Sequence, residues 1–202
     1  AWRTKGDAKQ AIGDLDQTIR LDPGNADAFV MRGVARQFLG NAELALADFD
    51  QAMRLRPDAV AYGARGDLRR HRGELAGAIE DYSEAIRLAP DKAFGYRGRA
   101  ASRLEMGQFD LAAADYEQAL DRDPNTQAAR RNLGIAEFLA GHFELSAATL
   151  GRWLQANPAD VHALLWRSLA QQRSGQASAA REGLQQAAST ARDPKWPAPL
   201  LN

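Results

Sequence analysis

The amino-acid sequence predicts an all-α fold in which short helices stack as helix-turn-helix repeats. Two sets of residues recur along the 202-residue chain with a period of 33 or 34 residues, and the apolar residues between them follow helical spacing. The prolines of this series are Pro23, Pro57, Pro90, Pro124 and Pro158. The glycines are Gly6, Gly40, Gly73, Gly107, Gly141 and Gly175. Because two independent residue types keep one period, the pattern indicates an internal repeat.

Each period is predicted to contain two helices joined by a glycine turn. The stretch NAELALADFDQAMRLR between Gly40 and Pro57 carries apolar residues three and four positions apart, which is typical of one face of a helix. The preceding stretch, ADAFVMRGVARQFL, has the same character. Gly40 suits the left-handed residue that ends the first helix and lets the chain reverse. Pro57 ends the second helix because it lacks a backbone N–H donor.

Small residues at fixed places predict close contacts between helices. Alanine recurs at two places in the second helix, at Ala11, Ala45, Ala78, Ala112 and Ala180 and again at Ala52, Ala85, Ala119 and Ala187. A large residue between them is expected to fill the space where helices cross, namely Leu15, Phe49, Tyr82, Tyr116, Leu150 and Leu184. A close-contact place in the first helix holds Gly33, Gly66 and Gly134, with Ala100 and Ser168. Since one such unit cannot bury its apolar face alone, neighbouring units must stack on it.

This pattern is similar to that of the tetratricopeptide repeat (TPR) family, whose motif places an aromatic, a glycine, an alanine, a second aromatic, a second alanine and a proline in a fixed order. The repeat from Ala26 supplies Phe29, Gly33, Ala45, Phe49, Ala52 and Pro57. The next two repeats supply Tyr62, Gly66, Ala78, Tyr82, Ala85 and Pro90, then Tyr96, Ala100, Ala112, Tyr116, Ala119 and Pro124. The last two repeats are looser. The resemblance implies a right-handed superhelical solenoid.

The period predicts one domain, a single solenoid over residues 1–202. A partial repeat occupies residues 1–25, and its shortened first helix leads us to expect further residues upstream. Full repeats are expected at 26–58, 59–92, 93–126, 127–160 and 161–194, followed by a C-terminal cap at 195–202. The WPAPLL stretch of this tail is similar to the tail of some exported bacterial repeat proteins. The compartment stays open between the cytoplasm and the bacterial periplasm or exterior, with export favoured.

Composition and motifs exclude several classes of function. Lys plus Arg and Asp plus Glu each total 26, so the net charge is zero and there is no overall field to attract nucleic acid. No stretch is apolar for long enough to span a membrane. The chain has no cysteine, no catalytic or phosphate-binding motif, and three histidines, His71, His142 and His162, at different repeat positions. We therefore expect a non-enzymatic protein that uses no cofactor and no metal.

Arginines and aspartates form two series with the repeat period. The first helices carry Arg32, Arg65, Arg99 and Arg167 at one place and Arg36, Arg69 and Arg103 one turn later, and the second helices carry Asp14, Asp48, Asp81 and Asp115. The arginines could grip phosphate groups. Structural ion pairs between helices are the favoured interpretation, because the acidic series has the same period and arginine pairs with carboxylates through a planar fork.

The resemblance also implies where a partner binds. In the family, first helices line a concave groove, and the corresponding positions here include Val34, Phe38, Val60 and Leu139. The Lys and Asn of the carboxylate clamp found in chaperone-binding members are replaced here by Val30 and Val34. The candidate partner-binding residues are Arg70, His71, Arg97, Leu104, Arg131, Ile135, Phe138, Leu165 and Leu169.

Two chemical features distinguish these candidates. Arg97 and Arg131, with Arg70 nearby, are expected to hold an acidic side chain or a chain terminus of a peptide. Ile135, Phe138, Leu165 and Leu169 are expected to form an apolar floor, unless the C-terminal cap or a second copy of the chain covers it. The predicted function is a protein-interaction scaffold that binds a peptide or protein segment in the groove. The alternative is a self-association module that forms a homo-oligomer without a separate ligand.

Overall fold

The computed structural model describes residues 4–191, and all regular secondary structure in this range is α-helical. Two short helices and a glycine turn make up each repeat, as the sequence predicts, and the chain is a solenoid of helical repeats. The predicted cap at 195–202 lies outside the described residues. The helices are α1 (Lys5–Leu21), α2 (Ala26–Phe38), α3 (Ala42–Leu55), α4 (Ala59–His71), α5 (Leu75–Leu88), α6 (Ala93–Glu105), α7 (Phe109–Arg122), α8 (Gln127–Leu139), α9 (Phe143–Ala156), α10 (Val161–Arg173) and α11 (Ala177–Ala191).

The chain divides into two compact units, Ala1–Met106 and Gly107–Asn202. In the first unit, each helix from α1 to α6 packs against the next, and α4 also contacts α2 and α6. In the second unit, α7 to α11 pack in succession, and α8 also contacts α10. The first helices of neighbouring repeats therefore lie side by side within each unit, so that their side chains can form one continuous surface.

Glycine turns join the two helices of each repeat. Gly40, Gly73, Gly107, Gly141 and Gly175 have φ angles between +75° and +88°, a conformation that a residue with a Cβ adopts only at a cost. This confirms the predicted role of these glycines. Gly6 departs from its series because it lies inside α1, which begins after a capping box formed by Thr4 and Asp7.

The predicted close contacts between small and large residues are present in both units. Phe49, Tyr82, Tyr116 and Leu150 are all buried. A Cβ atom added to Gly33 would lie 2.6 Å from Cε1 of Phe49, so the first and second helices of this repeat approach as closely as glycine allows. The same holds for Gly134, where an added Cβ would lie 2.6 Å from Cγ of Leu150.

Leu184 does not fill a space between helices, as its place in the repeat had predicted. Its side chain is 42% exposed, whereas Leu150 at the same place in the preceding repeat is fully buried. The reason is that α10 is the one helix among the described residues that packs against α11. A large residue at this place is buried only where helices enclose it from both sides.

Candidate functional site

The arginine and aspartate series pair within the first unit. Asp48 on α3 is buried and accepts hydrogen bonds from two arginines of α2, with 2.6 Å between its Oδ1 and Arg32 Nη2 and 2.8 Å between its Oδ2 and Arg36 Nη1. Arg32 also contacts Asp16 on α1, at 2.7 Å. This network confirms that these arginines form structural ion pairs. Because both guanidinium groups are engaged by carboxylates, neither is available to bind a phosphate group.

The next repeat carries the same network. Asp81 on α5 is buried and pairs with Arg65 and Arg69 of α4, at 2.5 Å from Arg65 Nη2 and 3.0 Å from Arg69 Nη1. Arg65 Nη1 lies 2.6 Å from Oδ1 of Asp50 on α3. Burial disfavours the charged form of Arg65 and so lowers its pKa. The hydrogen bonds to Asp81 and Asp50 outweigh this effect and raise the pKa above its ordinary value. The second acceptors, Asp16 and Asp50, were missed in the sequence because they lie in the preceding repeat.

The candidate residues of the first unit lie on α4 and α6, which pack together. Arg70 Nη1 lies 2.7 Å from Oε1 of Glu105, an ion pair that joins these two helices. His71 is exposed, with its Nδ1 2.6 Å from the carbonyl oxygen of Asp67. Leu104 is half-buried. The charge of Arg70 is therefore already balanced within the chain.

Arg97 on α6 differs from Arg70 in its surroundings. Its side chain is exposed, and no acidic group of residues 4–191 pairs with it. Among the candidate arginines it is therefore the one whose guanidinium is available to an incoming carboxylate.

The candidates of the second unit lie on α8 and α10, which also pack together. Phe138 is half-buried and makes edge-to-face contacts with Trp166 and Phe143, with ring centroids 5.0 and 5.3 Å apart. Leu165 and Leu169 on α10 are exposed. Trp166 was missed in the sequence analysis, because the family motif assigns no role to its place. The aromatic cluster anchors the apolar surface of these two helices.

Arg131 and Ile135 lie on the same helix, α8, and both are half-buried. Arg131 Nη1 is 3.6 Å from Oδ2 of Asp160, and its Nε is buried without a hydrogen-bond partner. Asp160 already accepts a hydrogen bond from Trp153 Nε1 at 2.9 Å and caps α10. Arg131 is therefore only weakly paired.

The repeat that contains α8 and α9 departs from the ion-pair pattern. Leu133 stands in the place of Arg32 and Arg65, Glu137 in the place of Arg36 and Arg69, and Thr149 in the place of Asp48 and Asp81. Glu137 is 2% exposed. Its Oε1 accepts a hydrogen bond from Thr149 Oγ1 at 3.2 Å, and its Oε2 is buried without a partner.

Burial raises the pKa of Glu137 to about 7. The charge of Glu117 acts in the same direction, whereas Thr149, Arg152 and His142 lower the pKa. The repeat pattern does not identify this carboxyl group as functional, although it contains a signal: Glu137 is an acidic residue at a place where the three preceding repeats have arginine.

Within residues 4–191 no cluster of three or more His, Asp or Glu side chains is arranged to hold a metal ion. No helix in the described part of the chain is long and apolar enough to cross a membrane.

A family model for the tetratricopeptide repeat matches residues 30–93 and 97–161, which together make up more than half of the chain. No curated protein gives a significant match to the sequence.

Several solved structures have a similar fold. YrrB, described as a TPR protein with an unusual peptide-binding site, superimposes with a TM-score of 0.82 at 18% identity, over 89% of this chain and 93% of its own. A tetratricopeptide repeat protein from Parabacteroides merdae gives a TM-score of 0.72 at 19% identity, over 92% and 74% of the two chains. PilW, a type IV pilus biogenesis factor, gives 0.73 at 22% identity, over 91% and 86%. These structural similarities show that the chain has the same fold as these proteins.

Proposed function

The chain belongs to the tetratricopeptide repeat family, and from this premise we propose that it binds an extended segment of a partner protein along the exposed faces of its first helices. Repeats of this family form protein-interaction scaffolds and are typically not enzymes.

One observation carries the proposal: large apolar side chains are exposed at the places that line the groove in this family. They are between 39% and 57% exposed, and each lies on a first helix. These side chains are Val34, Phe38, Val60, Leu139, Leu165 and Leu169. Within each unit these side chains lie on neighbouring first helices, and because grouped exposed apolar side chains are typical of interaction surfaces, a partner segment with apolar anchor residues suits each group.

The arginines specify the polar part of the bound segment. Arg97 is exposed and has no acidic partner within residues 4–191, and Arg131 is held only at 3.6 Å by Asp160. Arg70 serves less well, since Glu105 pairs with it. A segment with an acidic side chain or a free carboxyl terminus would pair with Arg97 or Arg131, since arginine binds carboxylates through two parallel hydrogen bonds.

A pull-down from the lysate of the source organism tests this proposal. The wild-type chain is compared with an Arg97→Glu, Arg131→Glu double variant and with a control, Arg54→Glu, Arg181→Glu, which reverses two exposed arginines on second helices. We expect a protein that is retained by the wild type and the control but lost by the first variant. Retention by all three forms would contradict the proposal.

Light scattering over a range of concentrations tests the alternative, self-association. Under the proposed function the molar mass is expected to stay constant. A mass that rises with concentration, and that falls back in the Arg97→Glu, Arg131→Glu variant, would show that a second copy of the chain uses this surface instead.

A further inference from the structure

The repeat of α8 and α9 has neither the arginines nor the aspartate of the ion-pair network, but it still faces the carboxyl group that the preceding repeat contributes. In the first unit, Arg65 on α4 bridges Asp81 of its own repeat and Asp50 of the preceding one. The equivalent of Arg65 is Leu133, and the equivalent of Asp50 is Glu117 on α7. Glu137 adds a second acidic group, and neither acidic side chain forms an ion pair within the described residues.

A cleft of about 420 Å³ occupies this place in the second unit. The four residues at the ion-pair places, Glu117, Leu133, Glu137 and Thr149, all line it. The remaining lining residues are Leu120, Asp121, Arg130, Leu145 and Arg152. The cleft is therefore located where the guanidinium of an arginine lies in the earlier repeats.

A matching cleft of about 330 Å³ in the first unit shows what the missing arginine does. It is lined by Asp50, Met53, Arg54, Tyr62 and Arg65. Their counterparts in the second unit are Glu117, Leu120, Asp121, Arg130 and Leu133. Because leucine is shorter than arginine and carries no charge, the cleft beside Leu133 continues inward to Glu137 and Thr149.

The charges around the cleft leave the innermost carboxyl group unsatisfied. Arg130 donates to the carbonyl oxygen of Pro124, at 3.4 Å, and Arg152 is exposed. Neither donates to Oε2 of Glu137, which is buried without a partner. A buried acceptor of this kind costs free energy until a donor reaches it.

We propose that this cleft binds the guanidinium group of an arginine side chain from a partner polypeptide, which takes the place that Arg65 occupies in its own repeat. The carboxylates of Glu137 and Glu117 accept its hydrogen bonds, and the side chains of Leu120, Leu133 and Leu145 contact its methylene groups. A guanidinium suits the site better than an ammonium group, because its planar fork of donors can reach two carboxylates at once. This site is separate from the groove of the proposed function.

Binding is expected to depend on pH. The pKa of Glu137 is raised to about 7, chiefly by burial, and the cationic ligand binds the ionised carboxylate. Glu117 and Asp121 on α7, Arg130 on α8, Arg152 on α9 and His142 between α8 and α9 are the other titratable or charged groups around it. Affinity is therefore expected to rise between pH 6 and pH 8.

Titration of the 202-residue chain with acetyl-Gly-Arg-Gly-amide, followed by NMR of the glutamate carboxyl carbons, tests the proposal. We expect saturable binding at pH 8, with a shift of the Glu137 resonance and a fall of its apparent pKa by about one unit. The Glu137→Gln variant should bind at least tenfold more weakly, whereas Glu144→Gln, an exposed glutamate on α9 outside the cleft, should bind as the wild type does. Absence of binding, or equal binding by Glu137→Gln, overturns the proposal.

A second variant tests the site without removing the carboxyl group. In Leu133→Arg, Thr149→Asp the chain supplies its own arginine and aspartate, as in the first unit, and we expect it to fold, to melt higher and to lose the peptide. A folded variant that binds the peptide unchanged contradicts the proposal.

Two further probes test the chemistry of the ligand. The lysine peptide acetyl-Gly-Lys-Gly-amide is expected to bind several-fold more weakly, and equal binding overturns the assignment to a guanidinium. Propylguanidine, which has the same single charge as the arginine peptide but no peptide backbone, is expected to bind no more tightly than that peptide. Tighter binding of propylguanidine overturns the assignment to a polypeptide ligand.

Discussion

The repeat of α4 and α5 in the first unit and the repeat of α8 and α9 in the second share their apolar packing but differ in their polar contacts. In both, a glycine of the first helix lies against a large buried side chain of the second, Gly66 against Tyr82 and Gly134 against Leu150. In the repeat of α4 and α5, Arg65 and Asp81 form an ion pair between the two helices. The repeat of α8 and α9 has a buried carboxyl group with one unpaired oxygen instead. Apolar packing defines this fold, and the polar positions are free to acquire other chemistry.

Removal of the central carboxylate of the complete network is expected to have the largest effect. In Asp81→Ala, two arginines lose their shared buried acceptor, so the free energy of unfolding should fall by about 3–5 kcal/mol. Chemical denaturation measures this loss. Asp14→Ala is the matched control, because Asp14 has the same place in its repeat but is exposed, and its effect should stay within about 0.5 kcal/mol. If Asp81→Ala lowers the free energy of unfolding by no more than Asp14→Ala does, within about 0.5 kcal/mol, the network adds nothing to stability.

The contact between a glycine and a large buried side chain, which both repeats share, can be disrupted in the second unit without a change of charge. Gly134→Ala places a Cβ 2.6 Å from Cγ of the buried Leu150, and the resulting overpacking should lower the free energy of unfolding by about 1–3 kcal/mol. In Gly13→Ala an added Cβ meets no atom within 4 Å, so this variant should gain up to about 1 kcal/mol from helix propensity. Thermal melting of both variants checks the prediction, and a stabilised Gly134→Ala variant would contradict it.

The buried carboxyl group of Glu137 should make the stability of the chain depend on pH. Since the pKa of Glu137 is about 7 in the folded chain and about 4.3 when unfolded, the folded state binds the proton more tightly. Stability therefore falls as pH rises from about 4.3 to about 7 and is constant above that range with respect to this group.

Glu137→Gln removes this titration. The variant is expected to match the wild type near pH 4 and to exceed its stability at pH 8 by on the order of 1–3 kcal/mol. Urea denaturation at the two pH values measures the difference. A Glu137→Gln variant that is less stable than the wild type at pH 8 would mean that the carboxylate is well paired in the folded chain.

Reversal of an exposed, unpaired charge is expected to have the smallest effect. Arg97 is exposed without an acidic partner among residues 4–191, so Arg97→Glu should change the free energy of unfolding by less than about 0.5 kcal/mol. Arg70→Glu loses the ion pair with Glu105 and should cost up to about 1 kcal/mol. If Arg97→Glu is the more damaging of the two in a melting experiment, Arg97 has a structural role rather than a binding one.

The period and the spacing of small residues were sufficient to predict the helices, the turns at Gly40 and Gly73 and the contact between Gly33 and Phe49, because close packing of repeats imposes these residues directly on the sequence. The ion pair between Arg65 and Asp81 was also predictable, since both partners recur with the same period.

The candidate site was less predictable. The pairing of Arg70 with Glu105 and the cluster of Trp166 with Phe138 depend on which side chains of neighbouring first helices meet, and this does not follow from the period. Glu137 breaks the pattern of its own series, and its importance emerges only when its burial and its unpaired Oε2 are known. Residues that depart from a repeat have to be placed in space before their chemistry can be interpreted.

Measurement of the Glu137 carboxyl titration by NMR in the wild-type chain tests the contrast between the two repeats most directly. We predict a pKa near 7, with a downfield change of the carboxyl carbon on ionisation that is absent in Glu137→Gln. A pKa near 4.3 would mean that the carboxylate is solvated or paired, and it would contradict the view that the second unit keeps an unfilled place where the first unit has its arginine.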